Sequence, residues 1–510
     1  MLDLVFIPLL LLYFTVLTAL FIYGANFLHL TWTALRSKDA APLAIVPEEW
    51  PAVCVQLPIY NEMYVSRRLI DATAQLDYPA SKLEVQVLDD STDETALIAE
   101  SAVEQWRARG VNISHLRRGT RQGFKAGALA YGMERTKAEY IAIFDADFIP
   151  QADFLRRTVP VLYADEGLSF VQARWGHTNR SHSLLTFLQS LSIDGHFAVE
   201  QYSRWKLGYF FNFNGTAGVW RKAAMIDAGG WHDETLTEDL DLSVRAYLAG
   251  WRAAYVRAVE APAELPVSFD AYRRQQHRWA RGSFECAYKY VPTIWRSTLS
   301  WWQKVQTTLR LTGYAIHLLM LALCVLYPLL VLVALRYPAL LSLFGFMAVF
   351  NFAGIAPSIM FGVGQQQLRR PGWKGLLPAV PLLSFLGAGM MVTTARAFWQ
   401  SLSARQQEFE RTPKFGLSGQ KREWRRMRYQ LPLDRIVVVE YLLAALNFGT
   451  SAAAFAHQAW AVGVYTALFG SGLAATATFA ILQSFRARRG EREPATTRSV
   501  PEPVSGGGGS

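Results

Sequence analysis

Long segments without acidic or basic side chains lie on both sides of a polar block, and they limit this chain to folds that contain a membrane domain. Residues 4–35 are uncharged apart from His29 and can cross a hydrocarbon core of roughly 30 Å. Residues 311–335 and 338–362 have the same character, and 441–485 are long enough for two spans. With 510 residues, 51% hydrophobic and 18% charged, the chain can hold one large polar domain beside these spans.

One apolar segment, 375–395, decides how many crossings are predicted. The segments on either side of it are both strongly basic, so a single crossing between them would place one basic segment outside the cell. Pro378, Pro381, Gly387 and Gly389 would also break a helix. We therefore expect an interfacial or re-entrant segment, five crossings and an outside N-terminus, with a sixth full crossing as the alternative.

The formal net charge of +10 is concentrated beside the apolar segments, at 369–374, 421–435 and 486–492. Basic residues in these places are typical of cytoplasmic loops that face anionic lipid. No base-stacking motif accompanies the charge, so we expect no nucleic-acid partner. The charge pattern predicts that these basic segments are cytoplasmic. We expect an integral protein of the inner cell membrane whose polar block lies in the cytoplasm.

The polar block alternates short apolar runs with amphipathic helical patterns. This alternation predicts an α/β domain with a mostly parallel sheet, in which ligands bind at the carboxyl ends of the strands. The predicted strands are 52–57, 83–88, 140–144 and 168–172, and the clearest predicted helices are 65–75 and 94–109.

Acidic pairs follow two of the predicted strands. Asp89 and Asp90 end one strand, and Asp145 and Asp147 follow another. Carboxylates two residues apart, as in Asp145 and Asp147, can hold Mg²⁺ or Mn²⁺, with substrate phosphates completing the coordination shell. The plain alternatives are a solvated turn for Asp145 and Asp147, and a helix-capping role for one member of the first pair.

Two further patterns predict catalytic chemistry. Glu238 and Asp239 precede a helical pattern, and a helix N-terminus stabilises the anionic form that a general base needs, so we expect Asp239 to be the base. Gln275, Arg278 and Trp279 fall on one helical face, where the guanidinium can brace a diphosphate and the indole can support a sugar ring. The alternatives are an acidic pair that serves only the helix dipole and a tryptophan that anchors the membrane interface.

These motifs and their flanks resemble the membrane-integrated branch of glycosyltransferase family 2, which includes cellulose and hyaluronan synthases. The resemblance is most specific to the plant cellulose-synthase-like A and C groups and their bacterial relatives. It covers residues 50–290 strongly and rests on the motifs VQVLDDSTD (85–93), VQARW (171–175), FNGTAGVWR (213–221) and YRRQQHRW (272–279).

The resemblance implies a GT-A (Rossmann-like) catalytic domain in the cytoplasm, inserted into an α-helical transmembrane domain. It also implies an inverting single displacement from a UDP- or GDP-activated sugar, with Mg²⁺ or Mn²⁺. The implied parts are a transmembrane helix at 1–35, the catalytic domain at 50–290, interfacial helices at 291–310, two transmembrane helices at 311–363, an interfacial or re-entrant segment with a gating-like loop at 364–435, two transmembrane helices at 436–485 and a basic tail with a linker-like end at 486–510.

The residues fall into four predicted roles under this resemblance. The base is Asp239, and the metal is held by Asp147 with Asp145 beside it. The donor site comprises Tyr60, Glu62, Asp89, Asp90, Lys125, Asp145 and Arg278, together with Thr412 and Lys414 of a segment similar to the gating loop that covers the donor in these synthases. The acceptor site comprises Phe213, Asn214, Gly215, Thr216, Gln275 and Trp279.

The nature of the product stays open at this level. Many processive synthases continue the tryptophan with two arginines, whereas this chain has Ala280, Arg281 and Gly282. The expected function is transfer of glucose from UDP-glucose or mannose from GDP-mannose to a growing β-glycan, coupled to its passage through the membrane. The alternative is a single transfer to a ceramide- or polyprenyl-type lipid, and a non-enzymatic membrane scaffold is a third possibility.

Overall fold

A seven-stranded mixed sheet forms the centre of the polar block. The computed structural model describes residues 2–37, 40–337, 354–368, 371–403, 411–417, 424, 427–429 and 431–492. The strands are β1 Val53–Ile59, β2 Leu83–Asp89, β3 Ile113–Leu116, β4 Tyr140–Ile143, β5 Leu168–His177, β6 Gly218–Arg221 and β7 Arg252–Ala263. The predicted strands therefore correspond to β1, β2, β4 and β5.

The order of the strands is β3-β2-β1-β4-β6-β5-β7. All neighbouring pairs run parallel except those of β6, which is antiparallel to both β4 and β5. Ile59 at the end of β1 pairs with Asp89 at the end of β2, and Gln56 of β1 pairs with Ile143 at the end of β4. The register brings the residues that follow β1, β2 and β4 to one edge of the sheet, as the sequence predicts.

Helices pack on both faces of the sheet, as expected for a parallel α/β arrangement. The helices before the membrane region are α2 Ser66–Ala74, α3 Thr95–Ala108, α4 Phe124–Glu134, α5 Phe154–Ala164, α6 Leu184–Gly195, α7 Tyr202–Lys206, α8 Lys222–Asp227 and α9 Glu238–Leu248, with α1 Leu2–Arg36 at the N-terminus. The mostly parallel sheet with these helices is a GT-A-like fold, so the predicted fold class is confirmed.

The remaining helices lie beyond the sheet. They are α10 Phe269–Arg296, α11 Trp301–Leu311, α12 Ala315–Arg336, α13 Ala356–Gln367, α14 Val380–Gly389, α15 Met391–Ser401, α16 Ile436–Ala456 and α17 Trp460–Arg492. Helix α10 is continuous across the boundary predicted at residue 290. The exposed indoles of Trp295, Trp301 and Trp302 lie at the junction of α10 and α11, consistent with the predicted interfacial segment.

Four of the described helices are long and apolar enough to cross a membrane: Ile7–Arg36, Ala315–Val333, Ile436–Ala456 and Trp460–Phe485. A helical pair, Trp373–Gly389 and Met391–Ser401, bends by 42° at its break and is either a broken span or a re-entrant loop. The predicted break in 375–395 is thus present, while the number of crossings stays a prediction. Residues 338–353 of the predicted span 338–362 and residues 493–510 of the tail lie outside the described residues.

Buried polar contacts join helix α10 to the candidate membrane helices α16 and α17. Both carboxylate oxygens of Glu440 in α16 accept hydrogen bonds from Arg273, at 3.0 and 2.8 Å, and both side chains are almost fully buried. The backbone N–H of Phe269 donates to the Gln483 side chain of α17 at 2.7 Å. Because Gln275, Arg278 and Trp279 lie on α10, these contacts fix the predicted site residues relative to the candidate membrane helices α16 and α17.

Candidate active site

The carboxyl edge of the sheet opens into a cavity of about 170 Å³, which we call the donor cavity. It is enclosed by the loops after β1, β2 and β4, by the start of α9, by one turn of α10 and by the segment 411–417. The sequence-predicted residues that line it are Tyr60, Glu62, Asp90, Lys125, Asp145, Asp147, Asn214, Gly215, Asp239, Gln275, Arg278, Trp279, Thr412 and Lys414. Asp89, Phe213 and Thr216 are not among its lining residues.

The two members of the first acidic pair have different surroundings. Asp90 lines the cavity and its carboxylate pairs with the guanidinium of Arg118, with Nε 3.0 Å from Oδ1. Asp89 is 1% exposed; it accepts from the Ser91 N–H at 2.8 Å and contacts His115 Nε2 at 2.9 Å. Burial alone would raise the pKa of Asp89, but the hydrogen bonds from His115 and Ser91 lower it overall. Asp89 is thus an anion that holds the loop from behind, while Asp90 faces the ligand space.

Phe213 and Thr216 support the site from behind its wall. The ring of Phe213 is fully buried among core side chains, and the Thr216 hydroxyl accepts a 2.9 Å hydrogen bond from the backbone N–H of Asp145. Gly215 between them has φ +74°, and a Cβ there would lie 3.2 Å from Asp239 Oδ2 and 3.4 Å from Lys125 Nζ. Glycine leaves space at this point for the side chains of Asp239 and Lys125.

Three carboxylates of the donor cavity, those of Glu62, Asp145 and Asp147, lie close enough to affect one another. Burial raises the pKa of Glu62 to about 7, with Asp147 and Asp145 adding to the shift and Arg411 opposing it. Burial also raises the pKa of Asp145, against the effect of Lys125, whose Nζ lies 2.6 Å from Asp145 Oδ1. Negative charge held in this way at low solvation would be stabilised by a divalent cation.

Asp239 lies at the start of α9 and reaches the same cavity from the side of α10. Burial and the neighbouring Glu238 carboxylate raise the pKa of Asp239 to about 7, and Lys125 opposes the shift. A carboxyl group that titrates near neutral pH accepts a proton from a hydroxyl more readily than an ordinary aspartate, yet it is still largely ionised above pH 7. This is the behaviour required of a general base.

The effect of Glu238 on Asp239 predicts a pH dependence. Activity should fall as the pH drops through about 7, because Asp239 becomes protonated and cannot accept the acceptor's proton. Glu238→Gln removes the like charge, lowers the pKa of Asp239 and should move the acid limb of kcat/KM to lower pH. Rate profiles between pH 5 and 9 check this; a limb that stays in place would show that Glu238 does not set the pKa of the base.

Trp279 forms an aromatic wall with Trp175 of β5. The two ring centroids are 6.3 Å apart and the ring planes are tilted by 54°. Gln275 and Arg278 line the donor cavity from the same face of α10, as the spacing predicts. Ala280, where many processive synthases carry arginine, is fully buried in a cluster with Phe284 and Ala397, so an arginine at this position would require α10 and α15 to separate.

The segment 411–417 lines the donor cavity through Arg411, Thr412 and Lys414. The Glu264 carboxylate accepts hydrogen bonds from the backbone N–H groups of Phe415 at 2.8 Å and Leu417 at 3.0 Å. Lys414 Nζ lies 2.7 Å from Asp147 Oδ2 and also donates to the Glu264 carbonyl. The Thr412 hydroxyl is buried and has no hydrogen-bond partner among the described residues. Glu264 therefore holds this segment over the predicted metal-binding aspartate.

Glu264→Gln should loosen the segment. Replacing one carboxylate oxygen with an NH₂ group sets a donor against a backbone N–H donor, and the charge that strengthens both hydrogen bonds is lost. We expect faster hydrogen exchange across 411–417, measured by mass spectrometry, and a higher KM for the donor. Glu260→Gln is the matched control because Glu260 lies on β7, four residues before Glu264, but pairs with Arg174. Equal exchange in both variants would contradict this role for Glu264.

Sequence comparison identifies the domain that holds this cavity. Residues 51–282 match the sequence profile of the family described as "Glycosyltransferase like family 2". The chain contains a glycosyltransferase family 2 domain. The predicted family is thereby confirmed, and every site residue discussed above except those of 411–417 lies within the matched range.

Plant enzymes are among the relatives of this glycosyltransferase domain. It is 51% identical over 238 residues to "Probable glucomannan 4-beta-mannosyltransferase 7" of Oryza sativa subsp. japonica, covering 46% of this chain and 41% of the relative. It is 45% identical over 261 residues to "Glucomannan 4-beta-mannosyltransferase 2" of Arabidopsis thaliana, covering 50% and 49%. The alignments span about half the length of these relatives or less.

One similar solved structure is that of the mannosyltransferase PcManGT from Pyrobaculum calidifontis in complex with GDP-Man and Mn²⁺. Its TM-score with this chain is 0.49. The two chains are 20% identical, and the match covers 78% of this chain and all of the other.

Several lining residues of the glycosyltransferase domain were not predicted from the sequence. Glu264 directly follows β7, so the rule that ligands meet the carboxyl ends of strands would have found it if β7 had been recognised. Arg121 lies over the Tyr60 ring, with Cζ 3.5 Å from the ring centroid, and no local pattern distinguishes it from a surface arginine. Trp175 is the last residue of the motif VQARW (171–175), and His177 lies two residues after it at the end of β5. The sequence pattern assigned no role to either residue.

Two more cavities continue from the donor cavity toward the membrane helices. An intermediate cavity of about 310 Å³ shares Trp175, Asn214, Asp239, Gln275 and Trp279 with the donor cavity. A membrane cavity of about 410 Å³ lies between α1, α12, α14 and α17 and shares a second group with the intermediate one: Phe27, Ser192, Glu200, Tyr272, Gln276, Arg310, Tyr314 and Phe361. The three cavities adjoin in a row, and Asp239 lies where the first two meet.

Proposed function

We propose that the chain transfers mannose from GDP-mannose to the end of a growing β-glycan, and that the glycan passes through the membrane helices as it grows. The names of the plant relatives support mannose as the sugar. UDP-glucose is the competing donor. The proposed setting is the inner cell membrane, with the glycosyltransferase domain in the cytoplasm.

The proposed reaction is a single inverting displacement. Asp239 takes the proton of an acceptor hydroxyl whose oxygen attacks the anomeric carbon, and the bond from that carbon to the diphosphate oxygen breaks as the new glycosidic bond forms. The electron pair leaves with the nucleoside diphosphate. Arg278, Lys125 and Lys414 line the same cavity and would stabilise its negative charge, and Trp279 would support the acceptor sugar.

Mg²⁺ or Mn²⁺ would be held by Asp147 with Asp145 beside it. Among the described residues no group of three or more His, Cys, Asp or Glu side chains is arranged to hold a metal ion, so donor phosphates and water would supply further ligands. Carboxylate and phosphate oxygens suit these hard cations, and the crowded carboxylates around Glu62 fit a cation. The metal would neutralise the diphosphate. Binding at Asp147 Oδ2 requires Lys414 to move away from that oxygen.

The observation that carries the polymer proposal is the row of three cavities. The membrane cavity is lined by hydrogen-bonding and aromatic side chains, including Tyr23, Asn26, Tyr272, Gln276 and His317. Polar side chains among membrane helices are costly unless they face a cavity or a partner, and Asn26 Oδ1 and His317 Nδ1 have no hydrogen-bond partner among the described residues. A lining of this type suits hydroxyl-rich sugars, whereas an acyl chain would be matched by an apolar groove.

Product size tests this proposal. Purified full-length protein in lipid nanodiscs is incubated with radiolabelled GDP-mannose, UDP-glucose, UDP-galactose or UDP-N-acetylglucosamine and Mn²⁺. We expect GDP-mannose to give long chains that an endo-β-1,4-mannanase degrades. A one-sugar product that partitions into organic solvent would instead establish the lipid-acceptor function, and absence of transfer from every donor would contradict both.

A further inference from the structure

We propose that Trp175 and His177 form a binding subsite for the hydroxyl groups of the acceptor sugar, beside Trp279. This inference rests on the proposed transfer to a glycan acceptor and assigns residues to its acceptor site that the motifs did not. The ligand class is a pyranose of the acceptor chain, recognised through ring stacking and hydrogen bonds to its hydroxyls.

The strand geometry brings the two side chains to one wall. Trp175 and His177 are two residues apart near the end of β5, so their side chains lie on the same face of the strand. Both line the donor cavity, and Trp175 also lines the intermediate cavity. The Trp175 ring is held by Phe148 and Phe197, with centroids 5.3 and 5.4 Å away. A rigid indole beside Trp279 is therefore present before any sugar binds.

Three polar atoms of this wall have no hydrogen-bond partner among the described residues, although they are shielded from solvent. They are the indole N–H of Trp175, Nδ1 of His177 and the Nδ2 amide of Asn214. A buried donor or acceptor without a partner costs about 1–3 kcal/mol, so such atoms normally meet a ligand or water. Indole and amide groups donate and a neutral imidazole nitrogen accepts, which matches hydroxyl groups that do both.

The imidazole of His177 is oriented by Asp194 of α6. His177 Nε2 lies 3.1 Å from Asp194 Oδ1, and both side chains are buried. Arg180 and Gln365 also contact that carboxylate, at 3.2 and 3.1 Å from Oδ2, so its position is fixed. A carboxylate can only accept, so Nε2 donates to Asp194 and Nδ1 is left for a hydroxyl group, which can donate or accept.

Trp175→Phe tests the indole N–H, because it keeps an aromatic ring and removes the donor. The probe is β-1,4-mannotetraose, whose binding to the full-length protein in nanodiscs is measured by calorimetry. We expect about tenfold weaker binding of the tetrasaccharide, a larger change than in the binding of GDP-mannose. Trp251→Phe is the matched control, since the indole of Trp251 donates to Asp227 on the exposed surface. Equal tetrasaccharide affinity in both variants would overturn the role of Trp175.

Two substitutions of His177 separate binding from structural support. His177→Gln can keep the contact to Asp194 while it removes the polar atom at Nδ1, whereas His177→Asn keeps a polar atom near Nδ1 and loses Asp194. We expect the glutamine variant to retain its melting temperature but to bind mannotetraose several-fold more weakly than the asparagine variant. The reverse order would overturn the subsite. Donor hydrolysis by the wild type, measured in parallel, reports on the proposed transferase chemistry independently of tetrasaccharide binding.

Discussion

Asp239→Asn should lower the transfer rate by about 10²–10⁴-fold, the usual contribution of a general base. The asparagine matches the shape of the aspartate and avoids a buried charge, so the fold and the donor cavity should persist. Burial lowers the pKa of Lys125, and nearby carboxylates including Asp239 raise it. The variant loses the Asp239 charge, but Lys125 Nζ keeps Asp145 Oδ1 at 2.6 Å and Glu238 Oε1 at 3.5 Å. Initial rates with radiolabelled GDP-mannose, together with calorimetric donor binding, measure the two effects separately.

Asp153→Asn is the control for this substitution, because Asp153 is exposed at the start of α5, away from the cavity. It should change neither rate nor donor binding. Full activity of Asp239→Asn would remove the base assignment and direct attention to Glu238, which lines the same cavity. Loss of donor binding together with rate would show that Asp239 supports the site rather than taking the proton.

Asp147→Asn should abolish the dependence of donor binding on Mn²⁺. The proposed cation contributes several kcal/mol by neutralising the diphosphate, so GDP-mannose should bind at least about 100-fold more weakly in the presence of metal. The carboxylate is 10% exposed, and its Oδ2 contacts Lys414. Calorimetry with and without Mn²⁺ measures the effect on the full-length protein.

Donor binding measured without metal gives a second test of the role of Asp147. Without Mn²⁺, Asp147→Asn should bind GDP-mannose no more weakly than the wild type, because the substitution removes a charge that repels the diphosphate and leaves Lys414 without its carboxylate partner. Equal metal dependence in the two proteins would contradict the role of Asp147. Asp153→Asn again serves as the surface control.

The sequence was sufficient to locate one edge of the sheet. Strands β1, β2 and β4 are short apolar runs with acidic or polar residues directly behind them, and their parallel pairing brings Asp90, Asp145 and Asp147 together. The sequence could not distinguish Asp89 from Asp90. Adjacent residues at a strand end point in different directions, and the contacts that retain Asp89 come from His115 on β3 and from a turn at Ser91.

The strands that the sequence missed are those whose pattern is weak or whose direction is unusual. Strand β6 has only four residues and runs antiparallel between β4 and β5. It therefore lacks the strand–helix–strand pattern by which parallel strands are recognised in a sequence. Strand β7 alternates irregularly, with register shifts along its pairing with β5, and the Glu264 that follows it was missed for this reason. The segment 411–417 has no regular structure, and only the resemblance to synthases drew attention to Thr412 and Lys414.

The row of cavities has a kinetic consequence. Segment 411–417 borders only the donor cavity, whereas the intermediate cavity leads from Asp239 to the membrane helices. The nucleoside diphosphate would therefore leave past segment 411–417, and the glycan would leave through the intermediate cavity. Free GDP should then inhibit by competing with the donor, and its inhibition constant should be the same for an acceptor of two sugars and one of about two hundred. Nucleotide exchange would then not require the glycan to leave its cavities between two additions.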